Sequence, residues 1–380
     1  MSNGWIGRSL GLLLALLLMF VMAACGSGDQ SEPAAGTPAG SAETPSGTSE
    51  GGAAEPAAAA EVNAAEIEAA AKKEGKLVWY AGASADDMQK FADKFMEKYP
   101  EIKVEMISLN ADQVPARVAV EHRGKLYNVD ILSASGWPMD QVERQGALQQ
   151  FKLPQELIDG MVDGAVDPEG YWVSQYVLTL PISYNTKALE ANGLQPPTSL
   201  WDLTKPEWKG KFGMTPDDFE WYAGLEKAYG EQQALELLKG LAANEPIFRD
   251  SSTLQIELLK TGEFVASIHA YGYRVDREKA KGTPLDYVNY EPTITLLQPQ
   301  GIAKNAPHPN AAKLFQMWIV AEETQKFILE TTNRTSAHKN VLTESEVWNP
   351  AKYKYLLSDP NSGEKYTDYQ KLYEETLGLK

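Results

Sequence analysis

The sequence predicts an α/β protein with two domains behind a long leader, and three observations carry that prediction. The 380 residues open with an apolar run and then a stretch of small residues, which confines the folded body to residues 64–380. That is roughly 315 residues, enough for two domains of ordinary size. From residue 76 to residue 146, β-prone runs alternate with helix-period runs, the pattern of βαβ units in a mainly parallel sheet covered by helices. After the long β-prone run at 171–184 (YWVSQYVLTLPISY) the alternation begins again, as a second domain requires.

The leader comes first. Arg8 supplies a positive start, residues 10–22 are apolar, and Ala23, Ala24 and Cys25 close the run. This order reads as a signal peptide over residues 1–24. An apolar stretch of about 13 residues is shorter than the ~20 that a membrane-spanning helix needs, so the segment is read as removed rather than kept as an anchor. Ala23-Ala24-Cys25 resembles the lipobox of bacterial lipoproteins, with Met22 where leucine is usual. The resemblance implies cleavage before Cys25, lipid on Cys25, and a chain exported and held on the outer face of the cell membrane. Cys25 is the only cysteine, so no internal disulfide forms in any compartment. Residues 25–63 are dominated by Gly, Ala, Ser, Thr, Pro and Glu and contain no aromatic residue, too little apolar surface to offset the entropy of ordering. They read as a disordered tether.

The body follows. Residues 64–73 carry Ile67 as the only large apolar residue and stop before Gly75, a short surface helix with a glycine end. Residues 76–80 (KLVWY) form a strand, and 86–99 a helix with Met88, Phe91, Phe95 and Met96 at helical spacing before Pro100. A strand at 102–107, a helix at 112–123, a strand at 129–132 and a short helix at 139–145 complete the first alternation. In the second half, strands are expected at 211–215, 264–269, 285–290, 294–297 and 301–303, and helices at 221–229, 232–244 and 310–320.

The formal charge of −17 argues against nucleic acid, whose phosphates want a basic footprint. There is no HExxH, GxSxG or Walker A motif and no cysteine nucleophile in the body, so the sequence does not read as an enzyme; an exported hydrolase is the minor alternative.

Four stretches, 75–105 (GKLVWYAGASADDMQKFADKFMEKYPEIKVE), 124–135 (GKLYNVDILSAS), 203–218 (LTKPEWKGKFGMTPDD) and 301–328 (GIAKNAPHPNAAKLFQMWIVAEETQKFI), together resemble the extracellular solute-binding proteins of ABC importers, in the group that includes ferric-ion binders. The resemblance implies a two-lobed periplasmic-binding-protein fold of type II, each lobe a mixed, mainly parallel sheet flanked by helices, joined by two extended hinge segments. Lobe one would comprise 64–178 and 288–380, including the C-terminal helices, and lobe two 179–287. A small-molecule or ion ligand would be trapped between the lobes and passed to a membrane permease by a monomeric protein without a cofactor.

Strand ends then nominate the ligand contacts. In lobe one, Ser84, Ser133 and Ser135 offer hydroxyls, or alternatively serve as turn and N-cap residues. In lobe two, the loop after KFGMTP offers Asp217 and Asp218, with Trp221 as a stacking surface. Tyr271, Tyr273 and Arg274 follow a predicted strand. Ferric binders hold their metal with adjacent tyrosines here, so Tyr271 and Tyr273 are the metal ligands if Fe(III) is the cargo. Aligned on that motif, Ala270 stands where the first tyrosine belongs, and no histidine accompanies Tyr80. The leading expectation is therefore a small polar solute such as an organic anion or phosphorylated compound, paired by Arg274 and Arg334, with Fe(III) as the alternative. Arg274 can instead pair with Asp276 or Glu278, and His269 reads as a core residue.

Overall fold

The computed structural model of the chain describes residues 63–341 and 346–379. The signal segment 1–24, the lipidation site Cys25 and the tether up to residue 62 lie outside the described residues. The described body falls in one compact unit, Ala59–Lys380. Among the described residues twelve strands occur in chain order: β1 (Lys76–Ala81), β2 (Lys103–Ser108), β3 (Ile131–Ser133), β4 (Leu148–Gln149), β5 (Val173–Thr179), β6 (Ile182–Asn185), β7 (Phe212–Met214), β8 (Ile247–Phe248), β9 (Ala266–Ser267), β10 (Leu285–Val288), β11 (Thr293–Ala303) and β12 (Tyr355–Leu357).

They form two mixed sheets, so the α/β class with two sheet-based lobes is observed. The first has the order β12-β11-β3-β1-β2, with β4 and β5 also paired to β11; the second has the order β10-β6-β9-β7-β8. The chain leaves the first sheet through Leu180 and Pro181 and returns from the second through residues 289–292. In the first sheet β1 runs parallel to β2 and β3, while the long β11 runs antiparallel to β3, β4 and β5. Two short strands were expected at 294–297 and 301–303; one strand of 11 residues is found. Pro299 has no N–H to give, and the register against β5 slips between Leu297 and Pro299, yet pairing with β3 carries the strand through.

The first lobe is built on an aromatic core. Met88, Phe91, Ala92 and Phe95 fall on one face of the helix Ala85–Lys98 and are fully buried. Phe95 meets Phe315 and Trp318 of the helix Pro309–Val320 with ring centroids 5.0 and 5.2 Å apart, and Trp79 of β1 lies 5.2 Å from Phe315. Each such side chain contributes about 1.5–3 kcal/mol through burial, so this contact fixes two helices on the sheet.

The last segment does not behave as expected. Residues 360–365 lie on lobe one, where Trp137 Nε1 donates to Ser362 Oγ at 3.0 Å. The helix Tyr366–Leu377 instead lies against lobe two: Phe219 contacts Tyr366 and Tyr373 at 5.5 and 5.4 Å, and Tyr373 Oη donates to the Thr215 carbonyl at 3.1 Å. Trp137 of lobe one also lies 5.0 and 5.9 Å from the Tyr366 and Tyr369 rings, so the segment reaches from one lobe to the other.

Candidate functional site

Between the sheets lies a cavity of about 570 Å³. Crevices of this size beyond the carboxyl ends of strands in open α/β sheets are where ligands bind. Its walls are made largely of helix starts. Asp112 precedes the helix Gln113–Arg123, Ser135 the helix Gly136–Arg144, Asp218 the helix Phe219–Tyr229, Ser251 the helix Ser252–Thr261 and Tyr271 the helix Gly272–Ala280, and Tyr366 begins the helix Tyr366–Leu377. The geometry follows from the fold: each crossover in a βα unit turns at a strand's carboxyl end and begins its helix there.

Helix N-termini bring partial positive charge and unpaired N–H groups. Two are closed by side chains, since Asp218 Oδ1 accepts from Trp221 N at 3.2 Å and Ser251 Oγ accepts from Leu254 N at 3.3 Å. The side chains of Asp112, Ser135 and Tyr271 make no such cap; Gln113 N and Val114 N bond the Asn110 and Ala111 carbonyls, and Arg274 N bonds the Tyr271 carbonyl.

Charged side chains oppose this field. Asp112, Asp217, Asp218, Glu220 and Asp250 line the cavity, and Arg274 is the cation among them. Asp217 is exposed, but the walls of the cleft partly desolvate its carboxyl and, with Asp112 and then Asp250, push it up. Burial, reinforced by Glu220 and Asp217, raises Asp218 to about 8, and burial raises Glu220 to about 7. Glu220 belongs to lobe two, but its carboxylate lies against Gly136 and the Trp137 N–H at the first turn of a lobe-one helix. His269 is 1% exposed, and burial lowers it to about 3, so it is neutral. Its Nδ1 accepts from Thr215 N at 2.8 Å, which puts the proton on Nε2; that atom has no hydrogen-bond partner and stands 3.8 Å from Asp218 Oδ2. Arg274 has an unpartnered Nε and makes no ion pair among the described residues.

Of the residues nominated from sequence, Ser135, Asp217, Asp218, Tyr271 and Arg274 lie on the cavity wall. Five do not. Ser84 is an exposed helix start. Ser133 is fully buried and accepts from Trp79 Nε1 at 2.8 Å. Trp221 is fully buried with Nε1 donating to Tyr290 Oη at 3.1 Å. Tyr273 is buried among Arg274, Arg277 and Arg334, whose guanidinium carbons lie 5.0–5.3 Å from its ring. Ser133, Trp221 and Tyr273 are held by buried partners, so they are not left to face the cleft. Arg334 is likewise engaged: its Nε donates to Asp87 Oδ2 at 3.1 Å. Burial alone would raise the Asp87 carboxyl, but Arg334 and Arg277 hold it below its usual range. Glu278 is taken by Lys281 and Lys260, not by Arg274.

Sequence reasoning missed Asp112, Tyr366 and the run Asp250-Ser251-Ser252-Thr253. The last carried a readable signal, since serines and a threonine ahead of an apolar-periodic run mark a helix N-terminus. Asp112 and Tyr366 had none.

Comparisons with known proteins agree with this architecture. A family model described as bacterial extracellular solute-binding protein matches residues 90–354. The Fe(3+)-binding periplasmic protein of Serratia marcescens is 26% identical over 192 residues, covering 46% of this chain and 55% of that relative, little more than half its length. Among solved structures, the periplasmic binding protein AfuA of Actinobacillus pleuropneumoniae, with fructose-6-phosphate bound, superposes with a TM-score of 0.70 at 23% identity over 80% of this chain and 99% of that one. Iron-bound HitA from Pseudomonas aeruginosa superposes with a TM-score of 0.67 at 21% identity over 79% and 99%.

Proposed function

Because the chain belongs to the bacterial extracellular solute-binding proteins, we propose that it is the capture component of an ABC importer, closing two lobes on a small polar solute and presenting it to a membrane permease. The observation that carries this reading is the cavity itself: it lies between two sheets joined by short connections, and it offers Arg274, whose Nε has no hydrogen-bond partner among the described residues. Leu180, Pro181 and residues 289–292 are the hinge, with lobe two lying between them. A ligand that binds the closed form better than the open form shifts that equilibrium without chemistry. Lipid on Cys25 and the segment after it keep the receptor beside its permease, where a tethered partner acts at high effective concentration.

The test is thermal unfolding of the full chain in detergent against sugars, sugar phosphates, organic acids, amines and Fe(III). One solute class should raise the melting temperature, with the gain lost in Arg274→Gln; no stabilisation by any class would refute the capture role. Cys25→Ser should move the protein from the membrane fraction to the soluble one.

Fe(III) is the second reading, favoured by one observation: the Tyr271 phenol lines the cavity beside Asp217 and Asp218, giving hard oxygen donors. It predicts a visible phenolate-to-iron absorption band on adding Fe(III) that disappears in Tyr271→Phe. Tyr273→Phe should keep the band, because Tyr273 faces arginines inside the fold rather than the cavity.

A further inference from the structure

The solute can be described more narrowly from the two kinds of group that the cavity leaves unpaired. On one side stand carboxylates. Asp112 comes from lobe one and Asp217 from lobe two, both exposed, and neither has a lysine or arginine partner among the described residues. Both line the cavity and Asp112 acts on the Asp217 carboxyl through its charge, so closing the lobes brings like charges together, an unfavourable step unless a cation enters between them. No group of three or more His, Cys, Asp or Glu among the described residues is arranged to hold a metal ion.

On the other side stand donors. The His269 Nε2–H is almost completely buried, has no partner, and points toward Asp218 in the cavity, because Nδ1 is tied to Thr215. A buried N–H left without an acceptor costs about 1–3 kcal/mol, which a ligand oxygen would remove. The Arg274 guanidinium lines the same wall with Nε free.

We propose that the captured solute is amphoteric: a protonated amine sits between Asp112 of one lobe and Asp217 of the other, while an oxyanion on the same molecule accepts from Arg274 and from His269 Nε2–H. This rests on the capture role proposed above. The amine supplies the electrostatic reason for closure, since it is attracted to both lobes at once, and the oxyanion sets its orientation. A purely anionic solute would satisfy the donors and leave the carboxylates facing each other.

Calorimetric titration of the full chain in detergent tests it with four named sets of probes: O-phosphoethanolamine and L-ornithine, which carry both groups; putrescine, with amines alone; fructose 6-phosphate and citrate, with oxyanions alone; and Fe(III) chloride. At least one amphoteric probe should bind more tightly than every single-charge probe. Asp217→Asn should weaken that probe about tenfold while strengthening the oxyanion-only probes, because it removes one negative charge from the wall. Asp217 is exposed, so the variant should fold; an unchanged melting temperature without ligand checks this. Tighter binding of an oxyanion-only probe or of Fe(III), or an Asp217→Asn loss equal for all probes, overturns the amphoteric assignment and leaves the capture role standing. No binding by any probe overturns both.

Discussion

At the scale of single residues, Glu220 shows how a carboxylate can be expensive and still be placed with purpose. Burial lifts it from 4.5 to about 7. Between those values the folded chain holds a proton that the unfolded chain has released, so this group's contribution makes stability fall as pH rises from about 4.5 to about 7, with no further change on either side. Glu220→Gln, which mimics the protonated form, should therefore be more stable than the parent at pH 8, by about 1–3 kcal/mol, and equal to it near pH 4. Denaturant melts at the two pH values read this directly, and an equal shift at both would refute it. Ser133 gives the opposite kind of test. Its hydroxyl is the acceptor for Trp79 Nε1, so Ser133→Ala should cost about 1–3 kcal/mol of stability and leave solute affinity unchanged. Reduced affinity with unchanged stability would put it back in the cleft. Residue types alone made Ser133 and Ser135 look equivalent. The difference is that a buried indole lies within reach of one and open cavity beside the other.

At the scale of elements, periodicity was a sound guide where one face meets a core. The helix Ala85–Lys98 carries Met88, Phe91 and Phe95 at the spacing its burial requires. It failed at Gly272–Ala280, expected only as the residues following a strand, because a glycine at the first helical position and few apolar residues give no helical period. The glycine has a tertiary reason: a Cβ there would strike Val347 and crowd Thr179 and Pro181. Gly136, the first residue of another helix, has a similar one, since a Cβ would run into the Glu220 carboxylate of the opposite lobe. Gly136→Ala should hold the lobes apart. Solute affinity should fall about tenfold, while the ligand-free protein melts within about 1 kcal/mol of the parent. Unaltered affinity in calorimetry would mean that this contact does not belong to the closed state.

At the scale of the molecule, two lobes and one crossing segment decide behaviour. Residues 360–365 rest on lobe one, and the helix Tyr366–Leu377 rests on lobe two with Tyr369 and Tyr373 buried. Deleting 360–380 uncovers Trp137, Phe219 and Tyr222, and the loss of the two tyrosines alone should lower stability by roughly 3–6 kcal/mol. A melting temperature within error of the full chain would show that the segment is a passive tail. Much of the architecture was legible in the amino-acid order: strand and helix alternation set the α/β class, and apolar spacing marked about half of the helices among the described residues, because these depend on periods of two and 3.6 along the chain. Site residues Ser135, Asp217, Tyr271 and Arg274 were reachable too, because strand ends in parallel sheets point to the crevice. Only the tertiary structure decided that Tyr273, Trp221 and Arg334 are occupied inside the fold, that Asp112 and Asp217 line one cavity, and that the last helix reaches lobe two. Those outcomes depend on which groups meet across hundreds of residues of chain, and a local period carries no information about a partner that far away.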